Sequence, residues 1–284
     1  MAIAYATTHN LKLSFTTWVC PEWTVAAIVD GMQTYGYEGV ELRVGKGHLH
    51  GIEIDSPLEY ISEVRKQFDA AHLAVSCIAS SYSFSSADIV ERQKTISNVK
   101  KALRMADSIG APYLRVFGGD IPQGLEATGV IDYVAEAIDE CTEYAEKEKL
   151  RSMLLIETHG AFSHSKYTAE VLSQVYSPKL GVLWDVLHPM RVLESIEDTY
   201  DSICDHVRHV HIHDCAFNDD RTKLAPCEPG EGFVPMNQVV DVLKSGNFRG
   251  YLSVESLSKE ADPDDVLPIW SKYLKSLIKP EKKD

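Results

Sequence analysis

Histidines occupy alternate positions, 209, 211 and 213, in the run Val207-Arg-His-Val-His-Ile-His-Asp214. In an extended strand all three imidazoles share one face, and Val210 and Ile212 share the other. A strand buried on both faces would ordinarily carry Val, Ile and Leu throughout, because an imidazole withdrawn from water needs a partner for each ring nitrogen. Two readings follow: one functional histidine beside two that neighbours satisfy, or a site built from all three. Glu157, Asp185 and Glu255 likewise close short apolar runs. A carboxylate in such a place is costly unless it is paired or bound to a cation. One divalent ion would satisfy two glutamates, an aspartate and a histidine together; independent structural pairs are the alternative.

The elements that must position these groups are readable in order. Strands are expected at Leu11–Phe15, Gly39–Arg43, Leu73–Ala79, Tyr113–Phe117, Met153–Glu157, Leu180–Asp185, along the histidine run and at Tyr251–Glu255. Helices are expected at Trp23–Tyr35, from Ser56-Pro-Leu-Glu59 to about Ala71, and over Asp88–Ile109, Val130–Lys149, Tyr167–Tyr176, Arg191–Ile203, Pro235–Ser245 and Asp264–Leu277. Gly36 and Gly110 stand where helix ends need a left-handed residue, and Ser56, Pro57 and Glu59 have the spacing of a capping box. Short strands alternating with helices, each strand apolar on both faces, predict a single α/β domain over residues 1–284 with the (β/α)8 barrel architecture. An open doubly wound sheet would use fewer strands and gather its polar residues at one crevice. Here Glu41, Glu157, Asp185, His213 and Glu255 stand at or next to the carboxyl ends of different strands, the face on which barrels build their sites.

Composition narrows the function classes. Of 284 residues, 44% are hydrophobic and 25% charged, which is the balance of a soluble globular protein, and no run reaches membrane-spanning length. Six cysteines without a CxxC pair suggest reduced thiols, and Met1–Asn10 has neither a basic nor an apolar leader region, so a cytoplasmic protein is expected. A formal charge of −14 repels phosphate backbones, so no nucleic-acid partner is expected. No membrane partner is expected either, and homo-oligomerisation stays open.

The segments Glu157-Thr-His159, Trp184-Asp-Val-Leu-His188, Val210-His-Ile-His-Asp214, Pro229-Gly-Glu-Gly232 and Val254-Glu255 carry a resemblance over nearly the whole chain. So do Gly39-Val-Glu-Leu-Arg43 and Leu114-Arg-Val-Phe-Gly-Gly119. Together they resemble the xylose isomerase-like barrel superfamily of sugar isomerases and epimerases. The resemblance implies that Glu157, Asp185, His211 and Glu255 ligate one divalent ion, manganese first, with cobalt, magnesium or zinc as alternatives. It also implies that His188 touches substrate. His211 and not His213 is the matching ligand, because it stands three residues before Asp214. Ketose epimerases of the superfamily place an arginine soon after strand seven to hold substrate; here Arg221, further along, is the candidate.

The implied chemistry is metal-assisted isomerisation or epimerisation of a keto sugar or related polyol ketone through an enediolate. A chelated carbonyl acidifies the neighbouring C–H, and Glu157 and Glu255 remove and return the proton on opposite faces. A dehydratase of the inosose or dehydroshikimate type would use the same base and expel a β-hydroxyl. A carbohydrate-binding barrel without turnover is the reading from another class. The abasic-site endonuclease branch needs further histidines, where this chain has Ala79-Ser-Ser81 and Phe117-Gly-Gly119. The Cys227–Gly232 loop could cradle a phosphate, but Glu228 and Glu231 favour a purely conformational role and hence an unphosphorylated substrate. His159 is a substrate contact or a solvated loop residue, and Trp18 is a sugar-stacking wall or a core residue. Ser80, Ser81 and Tyr82 could donate to hydroxyls. Arg115 needs a carboxylate, for which Glu41 is the first choice and Glu157 the second, and His209 is the satisfied core histidine.

Overall fold

The computed structural model describes residues 11–218, 223–255 and 262–279; Arg221 lies outside them. Eight parallel strands form its centre: β1 (Lys12–Thr16), β2 (Gly39–Arg43), β3 (Ala74–Ser83), β4 (Tyr113–Phe117), β5 (Met153–Glu157), β6 (Leu180–Asp185), β7 (Val207–Ile212) and β10 (Tyr251–Val254). Between the last two, an antiparallel hairpin pairs β8 (Cys215–Phe217) with β9 (Leu224–Pro226). The barrel runs β1-β10-β7-β6-β5-β4-β3-β2 and closes where Ser14 of β1 registers with Gly39 of β2. This is the (β/α)8 barrel that the alternation of elements predicts.

The surrounding helices are α1 (Val25–Tyr35), α2 (Leu58–Ala70), α3 (Ile89–Ile109), α4 (Ala127–Lys147), α5 (Ser165–Gln174), α6 (Leu187–Arg191), α7 (Ile196–Ile203), α8 (Met236–Ser245) and α9 (Pro263–Ile278). Their ends follow local chemistry. The Asp88 carboxylate accepts the Val90 N–H at 2.8 Å to start α3, and Gly110, at φ 88°, ends it. In α4, Val130, Val134, Ile138, Cys141 and Ala145 form one buried stripe. Truncating Ile138 to alanine there should cost about 2–5 kcal/mol.

Three local expectations are corrected. Arg191–Ile203 is not one helix: Leu193 takes a left-handed conformation (φ 67°), and Ser195 then caps α7 by accepting the Asp198 N–H at 3.0 Å. Ser56 does not cap α2, because its hydroxyl donates to Gly51 O and accepts the Glu53 N–H within its own turn. The strands are not apolar on both faces. Alternation sends Val40, Leu42, Leu114, Val116, Ile156, Val210 and Ile212 into the layer under the helices. The opposite residues, among them Ser14, Glu41, Ser76, Arg115, Glu157, His209, His211 and Ser253, give the barrel a polar interior. Ser14 and Ser76 hydrogen-bond across it at 2.7 Å.

Candidate active site

Strands β10, β7, β6 and β5 are successive neighbours in the barrel, which brings their carboxyl ends together. Asp185 and His211 are register partners, Ser253 pairs with His211 two residues before Glu255, and Glu157 ends the next strand along. One donor atom from each of Glu157, Asp185, His211 and Glu255 lies within 4.8 Å of all the others. His211 Nδ1 stands at the centre, 3.0 Å from Glu255 Oε2, 3.5 Å from Glu157 Oε1 and 3.8 Å from Asp185 Oδ2. The structure thus assembles all four groups expected to meet. Asp185 and His211 are fully buried, Glu157 nearly so, and Glu255 keeps 17% of its side-chain surface exposed.

Each inner group is held from behind. Asp185 Oδ1 accepts the N–H groups of Leu187 (2.9 Å) and His188 (3.1 Å) and faces His213 Nε2 at 2.9 Å. Arg115 Nη1 lies 3.0 Å from Glu157 Oε2, too far off line for a hydrogen bond. Glu41 sits behind His211, 3.0 Å from its Nε2, and also 2.8 Å from His209 Nε2. The atoms on the inner side, Asp185 Oδ2 and His211 Nδ1, have no hydrogen-bond partner. Buried polar atoms left bare in a converging set are what a cation would satisfy.

Charge supports the same fit. The carboxylates of Glu41, Glu157, Asp185 and Glu255 outnumber the guanidiniums of Arg43 and Arg115 by two, so one divalent ion cancels the excess when the histidines are neutral. In the ion-free protein, protonation of imidazoles offsets part of that excess. Burial disfavours an imidazolium at His211, but Glu41, Glu255 and Glu157 outweigh it and raise the pKa well above the ordinary value. Burial likewise opposes ionisation of Asp185 and Glu255. The imidazoles of His213, His188 and His211 nevertheless hold Asp185 far below the usual range, and His211 and His213 pull Glu255 down to about 2.

The remaining candidates are distributed around this centre. His188, at the start of α6, places Nε2 3.9 Å from Asp185 Oδ2, and its ring meets that of His159 edge-on at 4.4 Å. His159 also packs on Phe117 at 4.5 Å, and burial lowers its pKa, so it is not a freely solvated loop residue. Trp18 is half-buried beside His48, with ring centroids 6.3 Å apart. Arg115 pairs with Glu157 and not with Glu41, because β4 and β5 are adjacent whereas β2 lies on the far side of β3. Ser80 donates to Arg115 O at 2.7 Å, which commits its O–H to structure, whereas Ser81 accepts from the Arg43 guanidinium and keeps its own O–H to donate.

The Cys227–Gly232 loop turns inward onto Asp214. That carboxylate accepts the N–H groups of Cys215, Gly230, Gly232 and Val234 at 2.9–3.2 Å. The amides that a phosphate would need are therefore already engaged, as the conformational reading of the loop expects. Sequence reasoning missed the Glu41–His209–His211 contact. Its signal was present as a glutamate and two histidines, each on the inward face of a strand and each in need of a partner.

A polar-cored (β/α)8 barrel with carboxylates and imidazoles converging at its mouth is the architecture of a barrel enzyme. The family model described as xylose isomerase-like TIM barrel matches residues 29–277, and the chain belongs to that family. Among curated proteins, fructoselysine 3-epimerase of Escherichia coli O157:H7 is 22% identical over 226 residues, covering 78% of this chain and 81% of that protein. The IOLI protein, crystallised with a bound zinc atom, superposes with a TM-score of 0.80 at 16% identity, covering 94% of this chain and 98% of that one. The probable 3-DHS dehydratase AsbF of Bacillus anthracis gives 0.73 at 19% identity, covering 93% and 99%. At these identities the structural likeness is one of fold.

Proposed function

We propose that this protein is a metal-dependent sugar epimerase or isomerase acting on an unphosphorylated keto sugar or related polyol ketone. The observation that carries the reading is the convergence of Glu157 and Glu255, from strands three places apart in the barrel, on the same donor set as Asp185 and His211. The relationship to fructoselysine 3-epimerase supports it. Glu157, Asp185, His211 and Glu255 would hold one divalent ion. An oxygen and imidazole set without thiolate suits a hard or borderline ion, and manganese is our first choice. When bound, such an ion polarises a carbonyl oxygen and so acidifies the adjacent C–H.

The chain's own groups divide the remaining work. Glu157 and Glu255 exchange the proton on the carbon next to the carbonyl, one from each face. Glu157 is fixed by Arg115, while Glu255 is the more exposed of the two. His188 and His159 bind hydroxyls at the β5–β6 side, and Trp18 offers an apolar wall across the mouth. A neutral substrate follows from charge: once a divalent ion is counted, the buried set has no excess positive charge to attract a phosphate.

The test is to incubate metal-stripped protein in D2O with a panel of ketoses and inososes, with and without Mn2+, and to follow each by proton NMR after removing the metal. The expected result is metal-dependent loss of the signal next to the carbonyl, together with appearance of an epimer or isomer. An unsaturated product would reassign the protein as a dehydratase. Failure to bind any divalent ion would overturn the reading.

A further inference from the structure

Glu41 reaches across the barrel interior. Its strand β2 is separated from β7 by β1 and β10, yet both of its oxygens lie 3.0 Å from His211 Nε2, and Oε2 is also 2.8 Å from His209 Nε2. All three side chains are fully buried. Among the described residues no lysine or arginine pairs with Glu41 within 4.0 Å, so the two imidazoles are its hydrogen-bond partners. An ionised carboxylate only accepts, which places the N–H of each ring on Nε2. A neutral imidazole has one N–H, so His211 Nδ1 then carries a lone pair, and Nδ1 is the atom facing Glu157, Asp185 and Glu255.

We propose that Glu41 is a positioning residue that fixes His211 in the Nε2–H tautomer and thereby presents Nδ1 as a ligand atom, with His209 pinning the carboxylate from below. The inference rests on the reading of Glu157, Asp185, His211 and Glu255 as a metal site. The geometry also explains why a carboxylate is needed and an amide of the same shape would not serve. Both oxygens of Glu41 are 3.0 Å from His211 Nε2, so a glutamine sets an acceptor oxygen and a donor NH2 group together against that nitrogen in either flip. The amide therefore no longer selects between the tautomers, and the one that points Nδ1–H at the cation position becomes accessible.

The experiment uses full-length protein labelled with 15N-histidine and loaded with Zn2+ as a diamagnetic probe. Long-range 15N–1H correlation spectra and zinc affinity are measured for the wild type and Glu41→Gln, with circular dichroism confirming the fold. The expected wild-type pattern is zinc on His211 Nδ1 and a proton on Nε2. In Glu41→Gln, zinc affinity is expected to fall about 10–100-fold, as for loss of other outer partners of metal-bound histidines, and the His211 pattern to become a mixture of tautomers. The wild-type spectrum decides the tautomer even if the variant does not fold. Zinc held through His211 Nε2 overturns the proposal. So does a Glu41→Gln protein with wild-type affinity and an unchanged His211 pattern, and in both of these cases the metal site itself survives. If the wild type takes up no zinc, the metal-site reading and this inference fall together.

Discussion

His213 Nε2 lies 2.9 Å from Asp185 Oδ1, the oxygen that also accepts the backbone N–H groups of Leu187 and His188, while Oδ2 has no hydrogen-bond partner. Three donors on one oxygen fix the carboxylate plane and leave the other oxygen aimed at His211 Nδ1, 3.8 Å away. On the proposed metal site, His213 supports the ligand Asp185 and is not itself a ligand. Replacing it with alanine removes the one side-chain donor and is expected to weaken divalent-metal affinity by about 10–100-fold. Titration of the variant with Mn2+ tests this, and an affinity equal to the wild type's would remove His213 from the site.

The two glutamates make separable predictions. An amide does not accept a substrate proton, so Glu157→Gln and Glu255→Gln should each lower turnover by about 10²–10⁴-fold. Each variant keeps a base on one face. It should therefore still exchange the proton of one epimer with D2O while forming little of the other, and the two variants should differ in which epimer exchanges. Proton NMR of both epimers, with metal content checked in parallel, makes the comparison. Full epimerisation by either variant would exclude the pair.

Spacing made the element order and the four converging groups legible because both depend on short-range patterns. Alternation identifies the face of a strand, and a carboxylate at a strand end identifies its height in the barrel. What a residue meets across the interior is set by closure, which no local pattern encodes. Hence Glu41 was assigned to Arg115 although it reaches His209 and His211, and Glu157 is the residue that Arg115 meets. The helix expected over Arg191–Ile203 failed for a local reason: the left-handed Leu193 is a non-glycine residue, so nothing in its type announced the break. The β8–β9 hairpin was missed because its strands are three residues each and flank a polar loop.

The Arg115–Glu157 contact should matter for stability more than a surface pair does. Both side chains are almost wholly buried, and Arg115 also lies over the Phe117 ring at 4.2 Å. Arg115→Met leaves Glu157 with only the His211 imidazole as a counter-charge, so the metal-free protein should lose up to about 3–5 kcal/mol. Adding Glu157→Gln should restore part of that loss, since the stranded charge is then gone. Urea unfolding of the two variants tests the sign. A double variant less stable than Arg115→Met alone would show that the loss came from packing on Phe117.

His50 is expected to give the fold an acid sensitivity of its own. Its Nδ1 accepts the Ile52 N–H at 3.1 Å and its Nε2–H donates to Arg43 O at 3.1 Å, so the ring is held neutral and has no place for a second proton. Burial, and after it the neighbouring His48, lower its pKa from 6.5 to about 4. In the unfolded chain the ring takes up a proton near pH 6.5, whereas in the folded protein it does so only near pH 4. Between those values the unfolded state binds more protons, so stability falls as pH falls across that window, by up to about 3 kcal/mol from this residue. His50→Gln should be less stable than the wild type at pH 7, because the glutamine does not reproduce both ring hydrogen bonds. It should also lose less stability between pH 6.5 and 4.5, because the titrating group is gone. Urea midpoints across that range for both proteins measure the difference in slope, and parallel slopes would show that His50 takes no part in acid unfolding.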